Sequence, residues 1–289
     1  MPFNFLKTFH FCYSRFFKQT IFKAVDMSSA LEKAFSLIEH LAQNPQGNSV
    51  SSLSEALGQP ASGIHRSLKM LEELGYVRQL DQGKHYALTI KLSALGLSYL
   101  GGLGLNDVTQ PILDKLAEQT EELIRMAIID GEHLVWVGVS QGTKSGLKYD
   151  PSSEQGQKAH FASSASGIAL LATMSDEEAI SKVMKQGMTR DGQGSGAPMT
   201  VQELLDVLGS TRKRGYSINC NSFLDGMAAM ARVIYDPITN KPFGTVSIAG
   251  PAVRLTEERM AKFEGLLEGA SIELSEASRA SNYFKHLEV

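Results

Sequence analysis

Five residues between positions 61 and 69 carry the chemistry that is easiest to name. Arg66 has a planar charged fork that can clasp a phosphate or the acceptor edge of guanine, and Ser62 and His65 can hydrogen-bond to a base or a phosphate. Lys69 stands one helical turn further on, and Ala61 shares the same face. Further along, Lys84 falls where it could reach a minor groove or a backbone phosphate. Taken singly, each fits a solvated helix face about equally well. The elements that would position them carry the argument.

From Ser28 the apolar residues Leu31, Phe35, Ile38, Leu41 and Ala42 recur at helical spacing, until Asn44-Pro45-Gln46-Gly47 ends the pattern. A short helix is expected from Ser51 to Leu57, capped by Ser51 and supported by Glu55. Gly58-Gln59-Pro60 is a tight turn, followed by a longer helix with Ile64, Leu68, Leu71 and Leu74 on one face. Two helices joined by so short a Gly-containing turn form a helix-turn-helix. The second helix of that unit enters the major groove, which places Ala61, Ser62, His65, Arg66 and Lys69 towards DNA. Gly75 stops the helix, and Tyr76 to Leu80 and Tyr86 to Leu88 then flank a polar tip at Asp81-Gln82-Gly83-Lys84, a hairpin in the position of a wing.

Ile90 to Leu100 reads as a linker helix, and Gly101-Gly102-Leu103-Gly104 as a hinge. Beyond it, Asp130-Gly131 joins two β-rich runs, Leu123 to Ile129 and Leu134 to Val139, as a hairpin. Helices near 164–173, 175–186 and 200–214, a strand at 216–219, a second hairpin pairing 227–235 with 243–249, and a final helix at 256–277 complete an α+β domain. The expected division is an extension at 1–26, a winged helix-turn-helix at 27–89, a linker at 90–105 and an effector domain at 106–289.

Composition narrows the function classes. With 43% hydrophobic and 20% charged residues the chain is neither disordered nor a disulfide miniature. No apolar run approaches the roughly 20 residues that span a bilayer, so no membrane role is expected of the body of the chain. Cys12 and Cys220 form no cluster, which fits a reducing cytoplasm and calls for no metal or other cofactor. From Met27 to Leu100 six basic residues balance six acidic ones, so phosphate attraction is weak and two copies on a palindromic site are expected, a homodimer at least. The first 26 residues hold seven of thirteen Phe and read as a mis-called start or a disordered tail; a basic aromatic membrane-surface helix is the alternative. No G-x-S-x-G, H-E-x-x-H or Walker sequence occurs. Gly192, Gly194 and Gly196 lack the preceding strand of a phosphate cradle, and nothing in the sequence brings Cys220 to His160 as a thiol catalyst, so no catalytic residue is expected.

Several stretches stand in family order: Ala30 to Phe35, Ile64-His65-Arg66 through Gly75-Tyr76-Val77, His160 to Ala172, Arg214-Gly215-Tyr216-Ser217, Asp225-Gly226-Met227, and Val246 to Pro251. On these the chain from Ser28 onward resembles the IclR family of bacterial transcriptional regulators. The resemblance implies a GAF-like effector domain with an antiparallel sheet and helices, a pocket for a small organic acid or aromatic metabolite, and dimers that pair into tetramers. It also implies that Ser164, Ala165 and Ser166 present helix-start amides to a carboxylate, with Asn219, Ala229, Ser247 and Ala249 lining the pocket. Asn219 stands where relatives have an acid, and Ala229 and Ala249 offer no side-chain hydrogen bond. Gly63 stands in the recognition helix where relatives favour Thr or Ser, at a cost of roughly 1 kcal/mol against Ala. Lys144, Lys148 and Tyr149 are further candidates to add charge or stacking for an aromatic acid. The expected role is repression of a catabolic operon under control of a carboxylated metabolite; an activator, or a thiol enzyme with an accessory DNA-binding domain, are the alternatives.

Overall fold

The computed structural model describes residues 30–80, 84–144, 146–150 and 155–281, so the N-terminal extension and the wing tip at 81–83 lie outside the described residues. The described residues fall into two compact units, one ending at Gly102 and the other beginning at Leu103.

In the first unit, α1 (Ala30–Ala42), α2 (Val50–Leu57) and α3 (Ala61–Glu73) pack with a small sheet of β1 (Asn48–Ser49), β3 (His85–Leu88) and β2 (Val77–Gln79), in the order β1-β3-β2. Leu37, Leu41, Leu53, Ile64, Leu68, Leu71, Val77 and Tyr86 form its core. Three expectations need correction. The buried stripe of α1 runs through Leu37 and Leu41, while Leu31 and Phe35 are exposed. Periodicity fixes which residues share a face but not how much of that face has a partner. The cap of α2 is Ser49, whose Oγ accepts from the Ser52 amide at 3.2 Å; Ser51 lies inside the first turn. Leu74 is also exposed, because it sits past the last full turn of α3.

A Cβ built on Gly63 meets nothing within 4 Å. Gly63→Ala is therefore expected to stabilise this unit by about 1 kcal/mol through backbone entropy alone. Thermal melting checks this; a loss of stability would show that the glycine has a packing role. The next helix, α4 (Lys91–Leu103), runs on through Gly101 and Gly102, so the break falls at Gly104, which has φ 63°.

The second unit is a five-stranded antiparallel sheet in the order β5-β4-β8-β7-β6: β4 (Leu123–Asp130), β5 (His133–Gln141), β6 (Ser217–Cys220), β7 (Met227–Tyr235) and β8 (Pro242–Pro251). One face carries Met126 and Gly138 and receives α5 (Leu105–Thr120), with α9 (Glu257–Ser278) packed against β7 and β8. The opposite face carries Ala229, Ala231 and Ala249, small residues on which Ala165 and Ala169 of α6 (Ala165–Leu171) pack closely. Around α6, the helices α7 (Asp176–Gln186) and α8 (Val201–Arg214) add Ala179, Val183, Leu204 and Leu208 to a second cluster with Trp136 and Phe161. Ser175 and Thr200 cap α7 and α8 with reciprocal Glu178 and Glu203 boxes. Gly167 is required: a Cβ there would lie 2.4 Å from the Phe161 carbonyl oxygen, where the preceding chain crosses α6.

Candidate functional site

The reading helix is built by a division of faces. Ile64, Leu68 and Leu71 are buried, and Ala61, Ser62, His65, Arg66 and Lys69 are all exposed on the other side. Positions 62, 65, 66 and 69 follow helical spacing, so they form one stripe. Gly58, left-handed at φ 62°, ends α2, and Ser54 Oγ donates to the Gln59 carbonyl at 2.6 Å, which fixes the turn before α3. Pro60 starts α3 with no side-chain cap, no acid lies in its first turn, and Glu72 and Glu73 close its last turn. The balanced net charge is thus divided along the helix. Its first two-thirds carry the cations and the open amides, where the helix dipole adds positive potential.

The far end of α3 is tied down. Gly75 is left-handed, Tyr76 N donates to Leu71 O, Thr89 Oγ1 donates to Gly75 O at 2.6 Å, and Lys91 Nζ donates to Leu74 O at 2.7 Å. Lys84 is exposed at the start of β3.

In the second unit the register brings the sequence-expected effector residues onto one sheet face. Asn219, Ala229, Ala249 and Leu123 lie directly across from one another, and Ser217, Ala231, Ser247 and Arg125 form the neighbouring row. Ser164 caps α6: its Oγ accepts from Gly167 N at 3.0 Å and donates to His160 O at 2.6 Å. Ala165 and Ser166 are buried in the first turn. Asn219 Nδ2 donates to Ser163 O at 3.2 Å, and Ser247 Oγ to Arg125 O at 3.4 Å.

Residue-by-residue reading of the sequence missed the groups that give this face its charge. Arg125 is 5% exposed, with its guanidinium 4.7 Å from the Trp136 ring and 5.8 Å from the Phe223 ring. Arg190 lies 4.1 Å from the Phe223 ring, donates to Ser163 Oγ at 3.3 Å, and also bonds the Phe223 carbonyl. Trp136 and Phe223 meet edge to face at 5.6 Å. The signal for Arg125 was available, as a lone cation in an otherwise apolar strand. Arg190 and Phe223 come from loops, where no periodicity marks them.

The glycine-rich loop is pinned in place. Gly194 N and Gly196 N donate to Ser222 O and Asn221 O, and Ser195 gives both its amide and its hydroxyl to Asp225 at 2.9 Å, holding that carboxyl below its ordinary range. Its amides are spent on the neighbouring loop, which removes the phosphate-cradle reading. His160 bonds Ser163 and Gly187, and burial pushes the Cys220 thiol up, so neither is set up as half of a thiol–imidazole pair. Tyr149 packs beside the small-residue cluster, whereas Lys144 and Lys148 are exposed. Among the described residues no His, Cys, Asp or Glu cluster suits a metal, and no helix is long and apolar enough to cross a membrane.

Comparison with known proteins agrees with this architecture. Residues 30–81 match the IclR helix-turn-helix domain, and residues 97–276 match the bacterial transcriptional regulator IclR C-terminal domain. The transcriptional repressor IclR of Escherichia coli K12 is 28% identical over 252 residues, covering 87% of this chain and 90% of that protein. The crystal structure of Thermotoga maritima IclR superposes with a TM-score of 0.67 at 25% identity, covering 85% of this chain and 97% of that one. An IclR homolog from Microbacterium hydrocarbonoxydans, complexed with 4-hydroxybenzoate, gives a TM-score of 0.70 at 18% identity, covering 88% and 100%. With a helix-turn-helix model on the first unit and the matching C-terminal model over most of the second, the chain belongs to the IclR family of bacterial transcriptional regulators.

Proposed function

We propose that the protein is a cytoplasmic repressor, without catalytic activity, that binds a palindromic operator and releases or reshapes that complex when a carboxylated metabolite binds. Ala61, Ser62, His65, Arg66 and Lys69 face the major groove, with Lys84 on the wing. Residues 27–89 read DNA, 90–105 link, and 106–289 take the effector. The observation that carries the DNA reading is the single exposed stripe of α3, basic at its uncapped start and backed by fully buried Ile64 and Leu68. Repression follows the named activity of relatives such as the Escherichia coli protein.

The effector enters the face formed by Ser164, Ala165, Ser166, Asn219, Ala229, Ser247 and Ala249. Seven residues of α6 make only a small dipole, so the two arginines supply most of the attraction for a carboxylate. The aromatic acid in the Microbacterium relative supports this ligand chemistry. A homodimer, and a pair of dimers built from it, is supported by apolar surface: α4 buries none of its residues, and Leu95, Leu97 and Tyr99 join Leu31 and Phe35 of α1 as exposed apolar side chains.

The test is DNA-binding anisotropy on the duplex upstream of the protein's own gene. Arg66→Ala is expected to cost about 1–3 kcal/mol of affinity. Ser247→Ala is expected to leave DNA binding intact and to blunt the response to a panel of aromatic and aliphatic acids. Unchanged affinity in Arg66→Ala would contradict the assignment of α3.

A further inference from the structure

The linker helix α4 and the first helix of the second unit, α5, are separated by a single residue, Gly104. Its left-handed φ of 63° interrupts what would otherwise run on as one helix from Lys91 to Thr120. A Cβ built on Gly104 meets nothing within 4 Å, so the backbone angle, not packing, is what calls for a glycine. In a continuous helix the Asp107 amide would donate to the Leu103 carbonyl, four residues back. In the bent form that carbonyl has another donor, Ser281 Oγ at 2.8 Å.

Ser281 is 0% exposed, and a buried hydroxyl is costly unless it is bonded. It stands three residues past the end of α9, where its amide donates to Ser278 O at 3.0 Å. α9 is fastened on both sides. Arg232 meets Glu268 at 2.5 Å and Ser275 Oγ donates to Tyr235 O at 2.5 Å, which ties it to β7. Lys115 meets Glu273 at 2.7 Å and Arg259 Nη2 donates to Thr120 O at 3.0 Å, which ties it to α5. The same strand β7 carries Ala229 and Ala231 of the effector face. One helix therefore grips an effector strand and ends on the joint.

We propose that α4 and α5 form a two-state joint, bent at Gly104 in this structure and continuous in its second state, and that Ser281 is the positioning residue through which α9 selects between them. A shift of β7 moves α9, withdraws the Ser281 hydroxyl and returns Leu103 O to the Asp107 amide. The change is carried along α4 to the reading unit. Gly101, Gly102 and Gly104 weaken the continuous helix enough to keep the two forms close in free energy. This inference rests on the regulator reading above and adds the element that carries its signal.

The joint is testable with DNA alone, because a site that alters DNA binding must be altered by DNA in return. Trp136 is the chain's one tryptophan and lies in the effector unit, so its quenching by acrylamide reports that return signal. Full-length wild type, Ser281→Ala, Ser281→Thr and Gly104→Ala are compared by hydrogen exchange across 103–108, and by Trp136 quenching with and without the upstream duplex. In Gly104→Ala the Asp107 amide should exchange at least about tenfold more slowly, since an L-residue disfavours left-handed φ and favours helix. Ser281→Ala should also slow it, whereas a merely structural loss would speed it, and Ser281→Thr should match the wild type. The duplex should change Trp136 quenching in the wild type and in Ser281→Thr, with at least about half of that change lost in Ser281→Ala. Faster or unchanged exchange at Asp107 in Ser281→Ala overturns the inference. So does a Trp136 response that is equal in Ser281→Ala and wild type, or absent from the wild type. If Ser281→Ala fails to fold, unchanged exchange in Gly104→Ala overturns it instead. Failure of the wild type to bind the duplex overturns the regulator reading, while exchange at Asp107 still decides the joint.

Discussion

Replacing Glu122 with Ala is expected to destabilise the C-terminal unit by about 3–5 kcal/mol, the cost of stranding a buried ion pair. Glu122 is fully buried, and its carboxylate receives Arg254 through two bonds of 2.7 Å, with Arg259 at 3.6 Å. The pair holds the Arg254 guanidinium above its ordinary value. Arg254 also bonds Thr143 Oγ1 and Leu147 O, so one carboxylate ties the start of β4 to the segment after β5 and to the chain entering α9. Gly250 lies against the same group, where a Cβ would fall 2.3 Å from Glu122 Oε2. Removing the carboxylate leaves two cations facing each other in a partly dry site. Glu122→Gln keeps the acceptor geometry on one oxygen and is expected to cost less. Urea unfolding of both variants checks this, and a loss below about 1 kcal/mol in Glu122→Ala would show that solvent replaces the pair.

A second large effect concerns acid. His160 is buried, and burial, helped by the charge of Arg190, lowers its imidazole from the ordinary 6.5 to about 4. Its partners explain the neutral ring. Gly187 O can only accept, so Nε2 carries the hydrogen, and Nδ1 is left to accept from Ser163 at 2.9 Å. Below pH 6.5 the unfolded chain gains a proton at this residue that the folded chain refuses until about pH 4. Stability from this residue is therefore complete above pH 6.5, falls as pH drops towards 4, and is level below. Over that window the loss amounts to about 3 kcal/mol. Unfolding measured between pH 7 and pH 4 in the wild type and in His160→Gln checks it: the variant should lose less stability across the window than the wild type. Identical slopes would mean that the ring is protonated in the folded state.

How much of this was legible depended on whether a residue's role is local. The turn at Gly58 to Pro60, the face of Ile64, Leu68 and Leu71, and the hairpin at Asp130-Gly131 are set by neighbours within a few positions, and each stands close to its expected place. The family motif from His160 to Ala172 marked α6 and its cap, because Ser164 and Gly167 act within one turn. Non-local roles were hidden. Two-residue β1 is a strand only because Tyr86 and His85 pair with it. Leu31 and Phe35 belong to a helix whose outer stripe is exposed among the described residues. Arg190 and Phe223 are 33 positions apart and meet only because the glycine-rich loop is laced to the loop after β6. Asn219 was noticed as a departure from an acid, but its meaning depends on Ser163 already holding its nitrogen.

The central claim is that the stripe from Ser62 to Lys69 reads a DNA sequence even though the charges of the first unit balance. The most direct measurement is competition at moderate salt between the upstream duplex and a random duplex of equal length, with purified full-length protein. The account gives a preference of at least about a thousandfold for the upstream site; equal affinity for the two duplexes would contradict it.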